Sequence, residues 1–357
     1  MEKKKSGLLA GIVAGIVLLI VGTIMLWWNE GNNVKNIKTV KEVKKNVIEI
    51  SSTAIDKEAN GKLVVTNGEM KVLDGVVLDN SFNIGIETAV LRREVEIYQW
   101  QEEKETNDKN TTYTYKKEWS SELIDSSDFN DNKHINPTQK PYANTDFIAK
   151  DIKVGEYYLS ENQKKNLETT SRLNPEGVML PFGYKINGEF ITNSVNPNNP
   201  EVGDVRISWR YNNWKKASVL AKLSGNSFVD YVSEAGKSVN MVAEGLLSSN
   251  EMIIKMEQSN NMLKWIFRVV GVLMIIFGYQ ALISPITKLA SYVPILGKIV
   301  GGALFFVCLL IGLIHSLFII AISWIIHRPL LGILLLAICI GLIVLVRKII
   351  KKENKEN

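Results

Sequence analysis

The third apolar segment of the sequence carries the polar side chains best suited to chemistry. Cys308, Gly312, His315, Ser316 and Ser323 fall on adjoining faces of a predicted helix, with His315 near its middle. An ionisable group inside a membrane is costly unless it meets a partner or water, so a proton or ion path that includes Cys308, His315 and Ser316 is one hypothesis. A neutral imidazole that hydrogen-bonds a neighbouring helix and serves packing is the other.

The polar middle of the sequence offers no set of residues for catalysis. It contains no metal-spaced cluster, no Gly-x-Ser-x-Gly elbow and no glycine-rich phosphate loop. His134, its single histidine, stands before Asn136-Pro137, which is typical of a turn rather than of a catalytic base. The carboxylates at one predicted strand edge are interpreted as solvated charges: Glu94, Glu96, Glu102 and Glu103. We therefore predict a protein that is not an enzyme and uses no cofactor or metal.

Two arginines border apolar segments and are candidate contacts for lipid headgroups. Arg268 lies one turn into the second segment and can extend its guanidinium outward to the interface. Arg328 precedes Pro329 in a tight connection, where it can bind lipid phosphate or cap the carbonyls of the preceding helix. The lipid interpretation of either arginine makes membrane lipid a predicted partner, whereas a capping Arg328 would not contact it.

The elements that position these residues are membrane helices. A transmembrane helix needs about 20 apolar residues to cross about 30 Å of hydrocarbon. Four segments fit or nearly fit this length: 7–28, Leu263–Ile283, Ile299–Ile322 and Leu330–Val346. Residues 284–298, with two prolines, predict an interfacial segment, and His327-Arg328-Pro329 predicts a helical hairpin of the last two spans.

Small residues mark one face of the first span. Gly7, Gly11 and Gly15 recur every fourth residue and Gly22 follows one heptad later. Residues without side chains let two helices approach closely in a membrane. This face predicts helix packing and self-association, so a homo-oligomer is expected.

The distribution of lysine and arginine predicts the topology. An even number of spans puts both termini on one side, and the tail after the last span is basic, with residues 351–357 outside the membrane. Because basic residues favour the cytosolic side, we expect both termini in the cytosol and the middle of the chain outside it. The formal net charge of +5 and the scattered lysines give no nucleic-acid footprint.

The soluble part predicts an α+β membrane protein in which a large β-rich extracytoplasmic or lumenal domain lies between spans one and two. We expect an anchor over 1–29, an amphipathic helical connector over 30–60, a β-rich domain over 61–240, a linker helix over 241–261 and a membrane block over 262–350. The lysine face of the connector either lies on anionic lipid or faces solvent while the helix docks on its own domain.

Several strand and turn signals occur inside that domain. Val90–Gln101 and Thr112–Trp119 predict a hairpin with a cross-strand aromatic ladder, and Val205–Tyr211 alternates as a half-buried strand should. Asn67-Gly68 and Asp74-Gly75 predict turns. One helix is expected at about Glu161–Ser171.

Several long strings, in order from the first span to the last, resemble the transmembrane protein 43 family, also called LUMA. They are Trp28-Asn29-Glu30-Gly31, Leu91-Arg92-Arg93-Glu94-Val95-Glu96-Ile97-Tyr98-Gln99-Trp100, Glu118-Trp119-Ser120-Ser121-Glu122, Pro200-Glu201-Val202-Gly203-Asp204-Val205-Arg206-Ile207-Ser208 and Arg328-Pro329-Leu330. The resemblance covers nearly the whole chain.

This resemblance implies an integral membrane protein with a lumenal domain, cytosolic termini and no established catalytic residues. It implies a self-associating scaffold, which in a eukaryote lies at the endoplasmic reticulum and inner nuclear membrane with partners such as emerin and lamins. If the protein is bacterial, we expect it at the plasma membrane. The expected function is that of a multi-pass organiser that presents its soluble domain to membrane or protein partners. The alternative is an oligomeric ion channel or transporter that uses the polar face of the third span.

Overall fold

A computed structural model describes residues 2–106, 111–290, 294–325, 330, 333–338, 340–344 and 347. They form two compact units. The β-rich unit comprises Val43–Ser233 and Ser238–Ile253, and the helical unit comprises the other described residues.

Four helices have defined bounds: α1 Glu2–Asn46, α2 Glu161–Lys165, α3 Ser249–Ala290 and α4 Pro294–Ile325. Three of them, α1, α3 and α4, include apolar stretches long enough to cross a membrane. A shorter apolar helical stretch spans Ile333–Val344. The predicted fourth span therefore stays a prediction, and Arg328 with its hairpin lies outside the described residues.

The long helices differ in extent from the predicted segments. α1 continues without a break past residue 29 to Asn46, and the next residues include a short strand instead of the rest of the predicted helical connector. α3 passes through Pro285, where an interfacial segment is predicted. α4 begins at Pro294, a first helical position that suits proline because its missing N–H has no partner there in any helix. The predicted linker helix over 241–261 is helical only from Ser249, where α3 begins. The residues before Ser249 form a strand and a turn.

The strands in chain order are β1 Ile48–Glu49, β2 Leu63–Val72, β3 Val77–Asp79, β4 Ile84–Ile86, β5 Val90–Thr106, β6 Thr111–Ser120, β7 Thr145–Ile148, β8 Ile152–Val154, β9 Tyr157–Tyr158, β10 Ser171–Arg172, β11 Lys185–Asn187, β12 Phe190–Thr192, β13 Val205–Tyr211, β14 Lys216–Ser224, β15 Ser227–Val229, β16 Tyr231–Val232, β17 Ser238–Val239 and β18 Met241–Glu244.

The first large sheet has the order β1-β2-β8-β9-β15-β14-β18, and β2 also pairs antiparallel with β14. The predicted turn at Asn67-Gly68 is wrong, because both residues lie inside β2. A Cβ at Gly68 would meet Ser52 Oγ at 2.6 Å, so the glycine allows a close approach rather than a chain reversal. The predicted turn at Asp74-Gly75 is confirmed, with Gly75 at a φ of 79°.

The second large sheet has the order β11-β12-β13-β5-β6, with β10 beside β13 and β7 beside β5. The predicted hairpin is confirmed by β5 and β6, which place Tyr98 opposite Trp119. The alternation predicted for β13 is also confirmed, since Val205, Ile207 and Trp209 are buried. Of the predicted helix at Glu161–Ser171, only α2 is helical, and it begins with a capping box at Ser160.

The predicted aromatic ladder is interrupted by a histidine. Tyr98 and Trp119 form one close pair, with ring centroids 5.3 Å apart. His134 stacks on Tyr115 at 3.9 Å and meets the Trp100 ring edge-on at 4.3 Å. His134 therefore packs its loop against the hairpin, at the end of a turn in which its N–H donates to Asp131.

The core of the β-rich unit contains a buried ion pair. Asp79 is fully buried and accepts from Arg93 at 2.8 Å and from the indole N–H of Trp209 at 3.0 Å. The guanidinium of Arg93 also lies 5.4 Å from the Phe82 ring centroid. A charge this deep is tolerable because its partners are in place.

Candidate functional site: polar contacts of the helical unit

A single carboxylate joins the three long helices of the helical unit. Glu30 follows the two interfacial tryptophans of α1 and is fully buried. Arg268 of α3 donates Nε and Nη2 to its two oxygens, at 2.6 and 2.8 Å. Trp324 of α4 donates its indole N–H to the same carboxylate at 2.5 Å. The fork of two parallel charged hydrogen bonds fixes distance and orientation together.

The surroundings of Arg268 suit a charge removed from water. Its guanidinium carbon lies 5.0 Å from the Trp265 ring centroid and 5.6 Å from that of Trp324, so two aromatic rings flank the cation. Asn29 adds a second link between α1 and α3, through its Nδ2 to the carbonyl of Lys264 at 3.1 Å. Arg268, predicted to reach lipid phosphate, is thus directed at Glu30. The sequence analysis did not identify Glu30, although an acidic residue two positions after Trp28 at the end of an apolar segment was a usable signal.

His315 of α4 lies between the other two long helices. Its Nε2 is 3.3 Å from Thr23 Oγ1 of α1, and its Nδ1 is 3.1 Å from the Tyr279 hydroxyl of α3. The single hydroxyl hydrogen of Thr23 is donated to the Leu19 carbonyl at 2.7 Å. Thr23 can therefore only accept from His315 Nε2, which leaves Nδ1 to accept from Tyr279. This network suits a neutral imidazole with both ring nitrogens in use, and the sequence did not identify Thr23 or Tyr279.

Cys308 and Ser316 of α4 are buried, but the hydrogen bond that Ser316 makes does not join His315. Ser316 donates to the Gly312 carbonyl of its own helix at 2.7 Å, and Cys308 is 1% exposed. Gly312 permits a close approach to α3, because a Cβ there would meet Ile276 Cγ1 at 2.7 Å. The predicted intramembrane site of Cys308, His315 and Ser316 is therefore distributed among separate contacts.

Glycines bring α1 and α3 into close contact. A Cβ at Gly15 would lie 2.9 Å from the Gly278 carbonyl oxygen, and one at Gly22 would lie 2.9 Å from Ile275 Cγ1. Reciprocally, a Cβ at Gly278 would lie 2.8 Å from Leu19 Cγ. At Gly11 the nearest atom, Ser284 Oγ, would be 3.7 Å away, and Gly7 also lies in α1. The helix that packs on Gly15 and Gly22 belongs to the same chain.

Together these contacts can hold helices in fixed register, and they offer little chemistry beyond that. Within the described part of the chain, no group of three or more His, Cys, Asp or Glu side chains is placed to hold a metal ion. The polar atoms of Glu30, Arg268 and His315 are directed at side chains of neighbouring helices. The arrangement is that of a packed anchor.

Comparisons with known proteins point to one family. The model of the family "Transmembrane protein 43" matches residues 97–329. The chain is 32% identical to the transmembrane protein 43 homolog of Drosophila melanogaster over 347 residues, which cover 90% of each chain. It is 25% identical to transmembrane protein 43 of Rattus norvegicus and 24% identical to that of Homo sapiens, in each case over 97% of this chain and 92% of the relative. No solved structure matches.

Proposed function

Because this chain belongs to the transmembrane protein 43 family, we propose that it is a membrane scaffold that self-associates and presents its β-rich unit to partners. It is an integral membrane protein with three candidate spans among the described residues. Cytosolic termini and a β-rich unit outside the cytosol are part of the same proposal, supported by the lysine and arginine distribution. The location proposed with them is the endoplasmic reticulum and inner nuclear membrane in a eukaryote, or the plasma membrane in a bacterium.

The observation that carries the proposal is the joint use of Glu30 by three helices. Arg268 and Trp324 both donate to this one buried carboxylate. A pore needs polar groups that face water, whereas these groups satisfy one another inside the chain. A bundle fixed in this way is suited to anchor the chain in the membrane.

An exposed apolar turn of the β-rich unit is the surface we assign to self-association. Met179 is 62% exposed, Phe182 is fully exposed, and Leu180 between them is also exposed. The turn is ordered at its base, where Met179 N–H donates to the Phe82 carbonyl and Tyr184 N–H donates to that of Pro181, both at 3.0 Å. Exposed apolar clusters of this kind mark contact sites. A second copy of the chain is the partner that the proposed self-association requires.

The test is the stoichiometry of the full chain in lipid. Single-molecule photobleaching of labelled protein in liposomes is expected to show more than one copy per assembly, and Phe182→Ser is expected to shift the distribution toward single copies. Ile135→Ser is the matched control, since Ile135 is an apolar side chain of the same unit that is 69% exposed and lies outside this turn. A wild-type protein that is entirely monomeric, or equal effects of the two variants, would contradict the proposed surface.

The alternative, a channel or transporter, is favoured by one observation, the polar contact of His315 inside the membrane helices. Liposomes loaded with a pH-sensitive dye decide between the two functions. Flux that His315→Leu abolishes would support conduction, and vesicles as tight as protein-free ones would support the scaffold.

A further inference from the structure

The outer face of the second sheet carries three arginines in a row. Arg210 of β13 lies directly opposite Arg92 of β5 on one side and opposite Arg172 of β10 on the other. We call these three residues the arginine ladder. They lie in a single unit of the chain, so their register is set by the sheet itself.

Such a row is unfavourable unless something compensates for it. Like charges directly opposite one another on neighbouring strands destabilise a sheet. The same two strands also show the ordinary solution, because Arg206 lies opposite Glu96 and donates to its two oxygens at 2.6 and 2.9 Å. In the ladder three cations are adjacent, and only at the β7 end of the row does an arginine, Arg92, lie directly opposite a carboxylate, that of Asp146.

The carboxylates near the ladder orient its guanidinium groups but accept from only some of their N–H donors. Asp146 accepts from Arg92 Nε and Nη2, at 2.7 and 2.9 Å. Glu94 lies 3.3 Å from Arg210 Nε, and Glu189 accepts from Arg172 Nη1. A guanidinium has five N–H donors, so each arginine keeps donors beyond these contacts. The carboxylates therefore hold the guanidinium planes in position for another ligand.

A concave site lies over the ladder. It has a volume of about 750 Å³, within the range of small-molecule sites. Thr145 and Ser208 contribute hydroxyls to its lining, Asn144 contributes an amide, and Phe190 adds an aromatic ring. Five arginines and three carboxylates line the site. One of the arginines, Arg93, is paired with the buried carboxylate of Asp79.

We propose that the arginine ladder binds a phosphate monoester, with the phosphate bridging Arg210 and its two neighbours. A phosphate monoester carries about two negative charges at neutral pH and three acceptor oxygens. Guanidinium groups match phosphate in a forked geometry that lysine cannot reproduce. Phe190 offers an apolar wall for the organic part of the ligand. The phosphate can belong to a free metabolite or to a lipid headgroup.

Binding is tested on the full chain in nanodiscs of neutral phosphatidylcholine. Glycerol 3-phosphate is titrated by calorimetry, and saturable binding is expected. Arg210→Gln and Arg172→Gln are each expected to weaken it about tenfold, the effect of losing one forked contact of about 1.4 kcal/mol. Lys71→Gln removes an exposed charge from the other sheet and is expected to stay within about twofold.

A second arm identifies the source of the phosphate. Nanodiscs that contain phosphatidic acid are expected to compete with glycerol 3-phosphate if a lipid headgroup reaches the ladder, and not to compete if the ligand is free. Binding of either source supports the proposal. No binding of either, or equal losses in Lys71→Gln and the ladder variants, overturns it.

The stability of the ligand-free protein provides a readout that does not depend on binding. Relief of like-charge repulsion is expected to raise the melting temperature of Arg210→Gln or leave it unchanged. A fall of several degrees would show that the ladder serves the fold, and would overturn the proposal. Neither measurement depends on self-association, so failure here and failure of the scaffold proposal are distinguishable.

Discussion

Arg268 and Glu30 form a forked ion pair between the first and second long helices, with N–O distances of 2.6 and 2.8 Å. The two residues are 238 positions apart in the chain, on either side of the β-rich unit. The pair therefore joins the two parts of the anchor that the β-rich sequence separates. Four predictions follow from this pair and from comparable contacts.

Glu30→Gln is expected to destabilise the anchor by about 3 kcal/mol, because Arg268 is left as a buried cation without a counter-charge. The measurement is thermal unfolding of the full chain in nanodiscs. The double variant Glu30→Gln/Arg268→Met is expected to recover part of the loss, since it removes the stranded charge as well. A double variant that is less stable than the single one would contradict this account.

Gly15→Ala is expected to destabilise the protein by about 1–3 kcal/mol through overpacking. The new methyl group would lie 2.9 Å from the backbone oxygen of Gly278, which cannot move as a side chain could. Gly11→Ala is the control, because its methyl group would meet Ser284 Oγ at an ordinary 3.7 Å and alanine favours a helix. Equal melting temperatures for the two variants would argue against the close packing of α1 on α3.

Asp79→Asn is expected to cost about 3 kcal/mol in the β-rich unit, because Arg93, only 7% exposed, loses its charged partner. The loss of stability is measured by thermal unfolding of the full chain. The unfolding is followed by near-ultraviolet circular dichroism, a signal to which Trp209 and Phe82 contribute. Glu103→Gln, which breaks the surface pair with Lys116, is expected to change stability far less. Similar effects of the two substitutions would contradict the role of burial.

Acid is expected to weaken the start of α3. Glu49 accepts from the Ser249 N–H at 2.6 Å, and this hydrogen bond lowers the pKa of Glu49 below its usual 4.5. A carboxyl whose pKa is lower in the folded than in the unfolded protein stabilises the fold at pH values above the unfolded pKa. This stabilisation is lost as the pH falls through the folded pKa. Melting temperatures from pH 6 to pH 3 are therefore expected to fall less steeply in Glu49→Gln. Parallel curves for the two proteins would refute the contribution of this contact.

Three spans, the β5–β6 hairpin and β13 could be predicted from the sequence because their signals are local. The apolar runs of α1, α3 and α4 and the alternation of β13 are visible within a few turns or a few residues. The β5–β6 hairpin likewise connects neighbours. The alternation of β13 also predicts which of its residues face the core, and Val205, Ile207 and Trp209 are buried accordingly.

Partners in space were not predictable, because they depend on how distant segments pack. Arg268 has the same local pattern whether it meets lipid phosphate or Glu30. His315 could be identified as a costly polar group, but Thr23 and Tyr279 come from two other helices. Gly68 was interpreted as a turn glycine, since nothing near it in the sequence indicates that Ser52 approaches it.

The pairing of β2 with β14 has a consequence for biosynthesis. β2 ends at Val72 and β14 begins at Lys216, so this pairing has a high contact order and a large loop must close before it forms. During translation, β2 therefore remains unpaired with β14 until most of the β-rich unit has been synthesised. The start of α3 follows β14 by only 25 residues, so the sheet can be completed only shortly before the hydrophobic stretch of α3 is translated. A chaperone that shields the edge of β2 during that interval would raise the yield of folded protein.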